Sequence, residues 1–340
     1  MSNSAHQRGP VLITGINGFI ASHLAERLLR EGWSVRGLAR RPESAAWLAE
    51  QGAQVIGGNL LDPDALARAA EGCAAVVHAA AWTGGPELTA DQAWRTNVTG
   101  TFGVIEAARN ARVERLIYVS SVAVYGVNSA PLIDEAMPTP PVEQLYPDSK
   151  IAAEAAVRAS GLPHVIVRPA STYGPRGGAW TIGPIERIKR GQLILAGADR
   201  GLVTPGYVDN VVAGLLLMLT HPAAAGEAFN LCDDCAVTYR EFYMAYAQML
   251  GMDRLPTLPE WAYKAGRNAP TNALRRLLGK QPAGVWSWHF RFNPSQFGVA
   301  KAKQLLGYRP AIDFAEGMRR TEAWLRAHGY LTPTRDAPRR

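Results

Sequence analysis

The feature that most constrains this chain is an alternation running through its first half. Short β-branched apolar runs are separated by longer stretches whose apolar residues recur at helical spacing. Val11–Thr14 reads as a first strand. Ile20–Arg30 follows as a helix with Ile20, Leu24 and Leu28 on one face. Further strands are expected over 33–38, 53–56, 75–78, 116–119 and 164–168. Helices are expected over 62–71, 91–111 and 146–159. Asp62 is placed to cap the first of these, ahead of Pro63 in its first turn. Strands this uniformly apolar are buried on both faces, and strand-helix alternation makes neighbouring strands parallel.

The implied fold class is α/β: a doubly wound parallel Rossmann sheet with a second, smaller mixed lobe. Residues 1–171 read as the large domain built on this sheet. Beyond Arg168 the pattern becomes irregular and richer in Gly, Pro and Trp. Residues 172–330 therefore read mainly as a substrate-binding lobe, with returns to the large domain near 206–219 and 227–231. The stretch 261–281 reads as helical and basic, and 331–340 as a loose tail.

Composition narrows the function classes. Hydrophobic residues make up 47% and charged residues 19%, which suits a packed globular chain rather than a disordered one. The charge of 36 − 29 = +7 is scattered, densest toward Arg339 and Arg340, with no aromatic-and-basic nucleic-acid module. The only cysteines are Cys73, Cys232 and Cys235. Cys232 and Cys235 form a C-x-x-C, but two further soft ligands at suitable spacing are missing, so no metal site is expected. The polar opening Met1–Pro10 is no signal peptide. The longest apolar run, Val211–Leu219, falls well short of the roughly 20 residues that span a bilayer. A soluble cytoplasmic protein is the expectation, with neither nucleic acid nor an integral membrane segment.

Four motifs carry the chemistry. Thr14-Gly15-Ile16-Asn17-Gly18-Phe19-Ile20-Ala21 follows a strand and opens a helix. A pyrophosphate needs bare N–H groups at a helix N-terminus, and glycine permits that approach. Ala21 stands where a third glycine would aid helix–strand packing. The second strand ends Ala39-Arg40-Arg41 with no carboxylate to hold a ribose 2′-hydroxyl. Arginines there suit a 2′-phosphate, favouring NADP, with NAD as the alternative. Tyr146 and Lys150 share a helix face at i, i+4, where an ammonium would lower the phenol's pKa and make it a proton donor and acceptor for a carbonyl or alcohol. Ser120 and Ser121 place hydroxyls just past a strand's C-terminal end, the edge where ligands bind in open α/β sheets.

Together these residues resemble the extended short-chain dehydrogenase/reductase family, which includes nucleotide-sugar epimerases, dehydratases and 3β-hydroxysteroid dehydrogenases. The resemblance runs from Val11 to about Gly329. It takes in Val77–Ala81, Asn97–Thr101, Arg168–Pro175, Tyr207–Val211 and the closing run from Lys301 to Pro310. It implies a general acid/base at Tyr146, assisted by Lys150, with Ser121 on the substrate oxygen. It also implies adenine contacts at Asn59 and Leu60, cofactor packing at Ala79, Ala80 and Ala81, support from Asn97, and Pro169 near the nicotinamide. A homodimer pairing the helices 91–111 and 146–159 is implied too.

Two departures bear on substrate. Nucleotide-sugar members carry an Arg-Asp-aromatic run before the Tyr-Val-Asp segment, where this chain has Gly201-Leu202-Val203-Thr204-Pro205-Gly206. They often carry Asn where this chain has Ser171. The C-terminal part is more similar to the 3β-hydroxysteroid dehydrogenase branch, and Trp82, Trp180, Trp286 and Trp288 are candidates for an apolar substrate pocket, with Ser171 beside them. The implied reaction interconverts a ketone and a secondary alcohol on a relatively apolar small substrate. The alternative is a nucleotide-sugar 4-epimerase or dehydratase.

Overall fold

The computed structural model describes residues 9–85, 88–197, 201–261 and 294–331. Seven strands form the main sheet: β1 (Val11–Thr14), β2 (Val35–Ala39), β3 (Gln54–Gly57), β4 (Ala75–His78), β5 (Arg115–Val119), β6 (His164–Pro169) and β7 (Ala228–Leu231). Their order is β7-β6-β5-β4-β1-β2-β3, and every neighbouring pair is parallel. Parallel neighbours cannot be joined by a tight turn, so each link is a crossover, which the helical stretches supply. The chain leaves β1 toward β2 and β3, then returns to place β4 on β1's other side. That reversal opens a crevice beyond the C-terminal ends of β1 and β4.

The helices that matter below are α1 (Phe19–Arg30), α2 (Pro63–Ala70), α3 (Gly100–Asn110), α4 (Leu145–Ala159), α5 (Val208–Thr220), α6 (Tyr239–Met249) and α7 (Phe314–Ala327). Strand residues alternate between two cores. Val11, Ile13, Val77, Ile117 and Val165 pack with Leu24 and Leu28 of α1 and Val211 and Leu215 of α5. Leu12, Val76, Leu116, Tyr118 and Ile166 face Leu66, Val104, Ile105 and Val157 of α2, α3 and α4. Both strand faces are buried, which is why the strands read as unbroken apolar runs. Asp62 caps α2 as expected, accepting from the N–H groups of Asp64 and Ala65 at 3.1 Å each.

One element differs from its sequence reading. The helix expected over 91–111 is three pieces: Ala90–Trp94, a π turn at Arg95–Thr99, and α3. A π turn inserts an extra residue into the helical ladder, a local rotation that periodicity over a long window does not register. It leaves Asn97 buried beneath the site.

Pro205–Tyr207 pairs with Ser171–Tyr173, α5 packs on α1, and β7 extends the sheet beside β6. A third core, rich in aromatics, joins Tyr173, Tyr207, Phe242 and Tyr246 with Met318 and Leu325. Trp180 belongs to this core, edge-on to Phe242 at 5.7 Å. Trp286, Trp288, the tail 332–340 and all of the 261–281 stretch except the exposed Trp261 lie outside the described residues.

Candidate active site

The site begins where β1 ends. Gly15 has φ +66°, and a Cβ there would lie 2.9 Å from the Cα and Cβ of Ala80. Only glycine lets this backbone lie against the loop after β4. Gly18 N–H then donates to the Gly15 carbonyl at 2.7 Å, and α1 starts at Phe19. Its N-cap is Gly18, which offers no side-chain acceptor, and its first turn carries no acidic residue. The N–H groups of that turn are left for an anion.

In front of this turn lies a cleft of about 420 Å³. It is lined by Gly15, Asn17, Gly18 and Arg40, by Asn59, Leu60 and Ala79–Ala81, and by Trp82, Leu88, Gln92, Arg95 and Thr96. Among its lining residues there is no carboxylate, while Arg40 and Arg95 supply two cations. A bare helix N-terminus and a cleft free of negative charge fit a nicotinamide dinucleotide. Asn17 Nδ2 donates to Ser44 Oγ at 2.9 Å, which ties the glycine turn to the loop after β2.

Arg41 does not line this cleft. Its carbonyl accepts from the N–H and hydroxyl of Ser44 at 3.0 and 2.6 Å, closing the turn Pro42–Ala45, and its side chain is exposed. The pairing of Arg40 with Arg41 is thus divided, because consecutive residues at a strand end point to opposite sides. Phe19 and Ile20 are half-buried and outside the lining, Phe19 standing edge-on to His23 at 5.6 Å.

The reactive groups sit on β5 and α4. Ser121 follows β5 and its hydroxyl accepts from Ala123 N–H at 3.1 Å, so it caps a short turn as well as facing Tyr146. Burial pushes the Tyr146 phenol up, and its hydrogen bond with Ser121 pulls it down. Lys150 is 3% exposed; its Nζ donates to the Val119 carbonyl at 2.8 Å and lies 4.9 Å from the centre of the Tyr118 ring. Burial lowers its pKa to about 7, against the opposing pull of Glu154. The expectation that Lys150 lowers the phenol is therefore not met in this geometry. Both groups are desolvated, and the amine is engaged with a carbonyl rather than with the phenol.

Sequence reasoning missed the layer beneath. Glu154, one turn after Lys150, accepts from Arg168 Nε and Nη2 at 2.9 and 2.6 Å and from Ser120 Oγ at 2.6 Å. Both charged side chains are almost fully buried. Arg168 Nη1 donates to the Tyr125 hydroxyl at 2.8 Å, and that hydroxyl donates to Asn230 Oδ1 at 2.8 Å. The legible signal was the second i, i+4 step from Tyr146 through Lys150 to Glu154. Pro169 ends β6, buried, and Ser171 is buried in the short pairing with Pro205. Trp82 lines the cleft with its Nε1 buried and without a partner among the described residues.

Comparison with known proteins agrees with this geometry. The model of the NAD-dependent epimerase/dehydratase family matches residues 11–232. This chain belongs to that family. The epimerase/dehydratase fold is what the sheet order shows, and the chain is an NAD(P)-dependent enzyme of the extended short-chain type. Among curated relatives of this family member, a 4-hydroxy-2-methyl-3-oxo-4-farnesyl-3,4-dihydroquinoline-1-oxide ketoreductase of Stigmatella aurantiaca is 30% identical, covering 90% of this chain and 93% of its own length. A 2-alkyl-3-oxoalkanoate reductase of Shewanella oneidensis is 28% identical, covering 92% and 85%. The solved structure of MoeE5 in complex with UDP-glucose and NAD matches with a TM-score of 0.74 at 26% identity, covering 94% of this chain and 99% of that one. Among the described residues, no helix is long and apolar enough to cross a membrane, and no three His, Cys, Asp or Glu side chains group as a metal site would need.

Proposed function

We propose that this chain is an NADP-dependent reductase that interconverts a ketone and a secondary alcohol on a relatively apolar small substrate. The observation that carries this reading over a nucleotide-sugar reaction is the run Gly201–Gly206. It lacks any cation, and nearly all of it is buried. Thr204 is itself used within the fold, accepting from Phe297 N–H at 3.1 Å. A diphosphate brought to Gly201–Gly206 would find no positive charge within the run itself. The ketoreductase and oxoalkanoate reductase relatives support the same choice.

The cofactor, held on the α1 N-terminus with Arg40 at its adenosine end and Asn59 and Leu60 beside it, would supply the hydride. Ser121 and Tyr146 present two hydroxyls to the substrate oxygen, and Tyr146 gives the proton that turns an alkoxide into an alcohol. Lys150 stands one helical turn after Tyr146, its amine held on the Val119 carbonyl at the end of β5. Ser120, Glu154 and Arg168 fix the floor under both elements. Trp82 supplies the apolar side of the cleft, and residues 172–330 are mainly the substrate-binding lobe, with Trp180 in its aromatic core.

We also infer a homodimer through the helical faces carrying Trp94 and Phe102, 39% and 52% exposed, and the exposed Ala155 and Ala159 of α4.

The test is turnover with NADPH on a panel holding 2-alkyl-3-oxoacyl esters, an alkylquinolone ketone and UDP-glucose. Consumption of NADPH with a ketone supports the reading. Turnover of UDP-glucose without net cofactor change would replace it with the epimerase alternative.

A further inference from the structure

Beneath the cofactor cleft lies a polar chain that the reaction as described does not use. His78, the last residue of β4, is 1% exposed. Its Nδ1 is 2.8 Å from Thr14 Oγ1, and its Nε2 is 3.0 Å from Thr101 Oγ1. Both threonines are buried: Thr14 immediately precedes Gly15, and Thr101 lies in the first turn of α3.

The direction of each hydrogen bond follows from its neighbours. Thr101 Oγ1 is 2.6 Å from the Asn97 carbonyl, which can only accept, so the Thr101 proton is committed there. His78 Nε2 must then carry a hydrogen and donate to Thr101. Nδ1 is left as an acceptor, and Thr14 donates to it. The Thr14 oxygen in turn accepts from Ala80 N–H at 3.2 Å. The chain thus runs one way, from the loop that faces Gly15 to the π turn.

It continues from Asn97 toward the reacting phenol. Asn97 Oδ1 accepts from Trp82 N–H at 2.7 Å, and Nδ2 donates to the Trp82 carbonyl at 3.0 Å and to Ser149 Oγ at 2.8 Å. Ser149 Oγ donates to the carbonyl of Tyr146 at 2.8 Å. A mispolarised group anywhere along it would leave a buried polar atom unsatisfied, at about 1–3 kcal/mol.

We propose that His78 is a positioning residue, held as the tautomer protonated on Nε2, that couples the loop lining the cofactor cleft to the turn presenting Tyr146. The consequence for catalysis rests on the role given to Tyr146 above; the coupling itself does not. Burial, with the charge of Lys150, keeps the imidazole neutral. The Tyr118 ring, 5.6 Å away, packs beside it. A protonated ring would place two hydrogens in the contact with Thr14. A histidine that merely fills the core would share the burial but would not transmit anything to Trp82 or Tyr146.

The experiment uses the full chain and three substitutions. Thr101→Val keeps the shape and removes the link, Thr101→Ser restores it, and His78→Gln assigns the imidazole signals. With the ketone giving best turnover, Thr101→Val is expected to lower kcat about tenfold with KM within about twofold, because a misplaced acid affects rate more than binding. Amide hydrogen exchange at Trp82 should speed up in Thr101→Val and return toward wild type in Thr101→Ser. Nitrogen spectra of His78 should show one tautomer, protonated on Nε2, with no titration between about pH 5 and 8. Wild-type kcat and Trp82 protection in Thr101→Val, a loss that Thr101→Ser does not restore, or an Nδ1-protonated ring would each overturn the proposal. The exchange and tautomer measurements need no substrate, so they decide the coupling even if no ketone is turned over.

Discussion

The proposed preference for NADPH over NADH rests on Arg40. It is exposed at the end of β2, lines the cleft, and faces no carboxylate among the cleft's lining residues. A guanidinium can meet a 2′-phosphate with two charge-assisted hydrogen bonds, each worth about 1.5–3 kcal/mol when protected from water. At an exposed rim such pairs fall to about 0.2–1 kcal/mol. A planar, bidentate contact to a doubly charged group at the cleft's edge lies between, at roughly 1.5–2.5 kcal/mol in total, or about 10- to 70-fold in affinity. Arg40→Ala should therefore weaken NADPH by that factor and leave NADH within about twofold, since only NADPH bears the phosphate. Arg41→Ala should change neither by more than about twofold, because its side chain lies outside the cleft. At 1 M salt, where the screening length is about 3 Å, the NADPH advantage should shrink. Calorimetry is the assay. Equal NADPH and NADH affinities in the wild type, or an Arg41→Ala effect as large as that of Arg40→Ala, would refute the reasoning.

Three further outcomes are expected. Tyr146→Phe should keep cofactor affinity and lose about 10²–10⁴ in turnover, the usual worth of a positioned proton donor, as steady-state rates will show. Glu154→Gln leaves Arg168 buried without its counter-charge and should lower unfolding free energy by about 3–5 kcal/mol in denaturant titrations; a change below about 1 kcal/mol would mean the pair is solvated. His78, whose pKa is lowered to about 3 by burial and by Lys150, takes up no proton where the unfolded chain, titrating near 6.5, does. Stability should thus fall as pH drops from 6.5 toward 3 and be unaffected by this group above 6.5. Between pH 7 and 4.5 the wild type should lose about 2.5 kcal/mol more than His78→Gln, read from denaturant unfolding at each pH.

Much of the fold was legible because parallel strands buried on both faces leave a strong apolar signature. Asp62 and Pro63 mark the start of α2, and α5 and β7 are apolar runs after an irregular stretch. The glycine turn was legible because Gly15 and Gly18 are demanded by backbone contact with Ala80 and by the start of α1. What stayed hidden was tertiary. The π turn at Arg95–Thr99 leaves no mark in the apolar spacing of 91–111. Arg95 reaches the cofactor cleft from a helix whose spacing says nothing about clefts. Arg40 and Arg41 look equivalent in sequence and are separated only by the geometry of a strand end. The Lys150 amine was read from its spacing to Tyr146, but the Val119 carbonyl that engages it comes from another element. The ion pair of Glu154 and Arg168 joins a helix to a strand that neither residue's neighbours foretell.

The central claim is net hydride transfer to a substrate ketone. Reduction with NADPH deuterated at the transferring position of the nicotinamide, followed by mass spectrometry of the product, tests it most directly. One deuterium should be retained at the carbinol carbon, with one NADPH oxidised per alcohol formed. An epimerised nucleotide sugar carrying no deuterium, with no NADPH consumed, would contradict it.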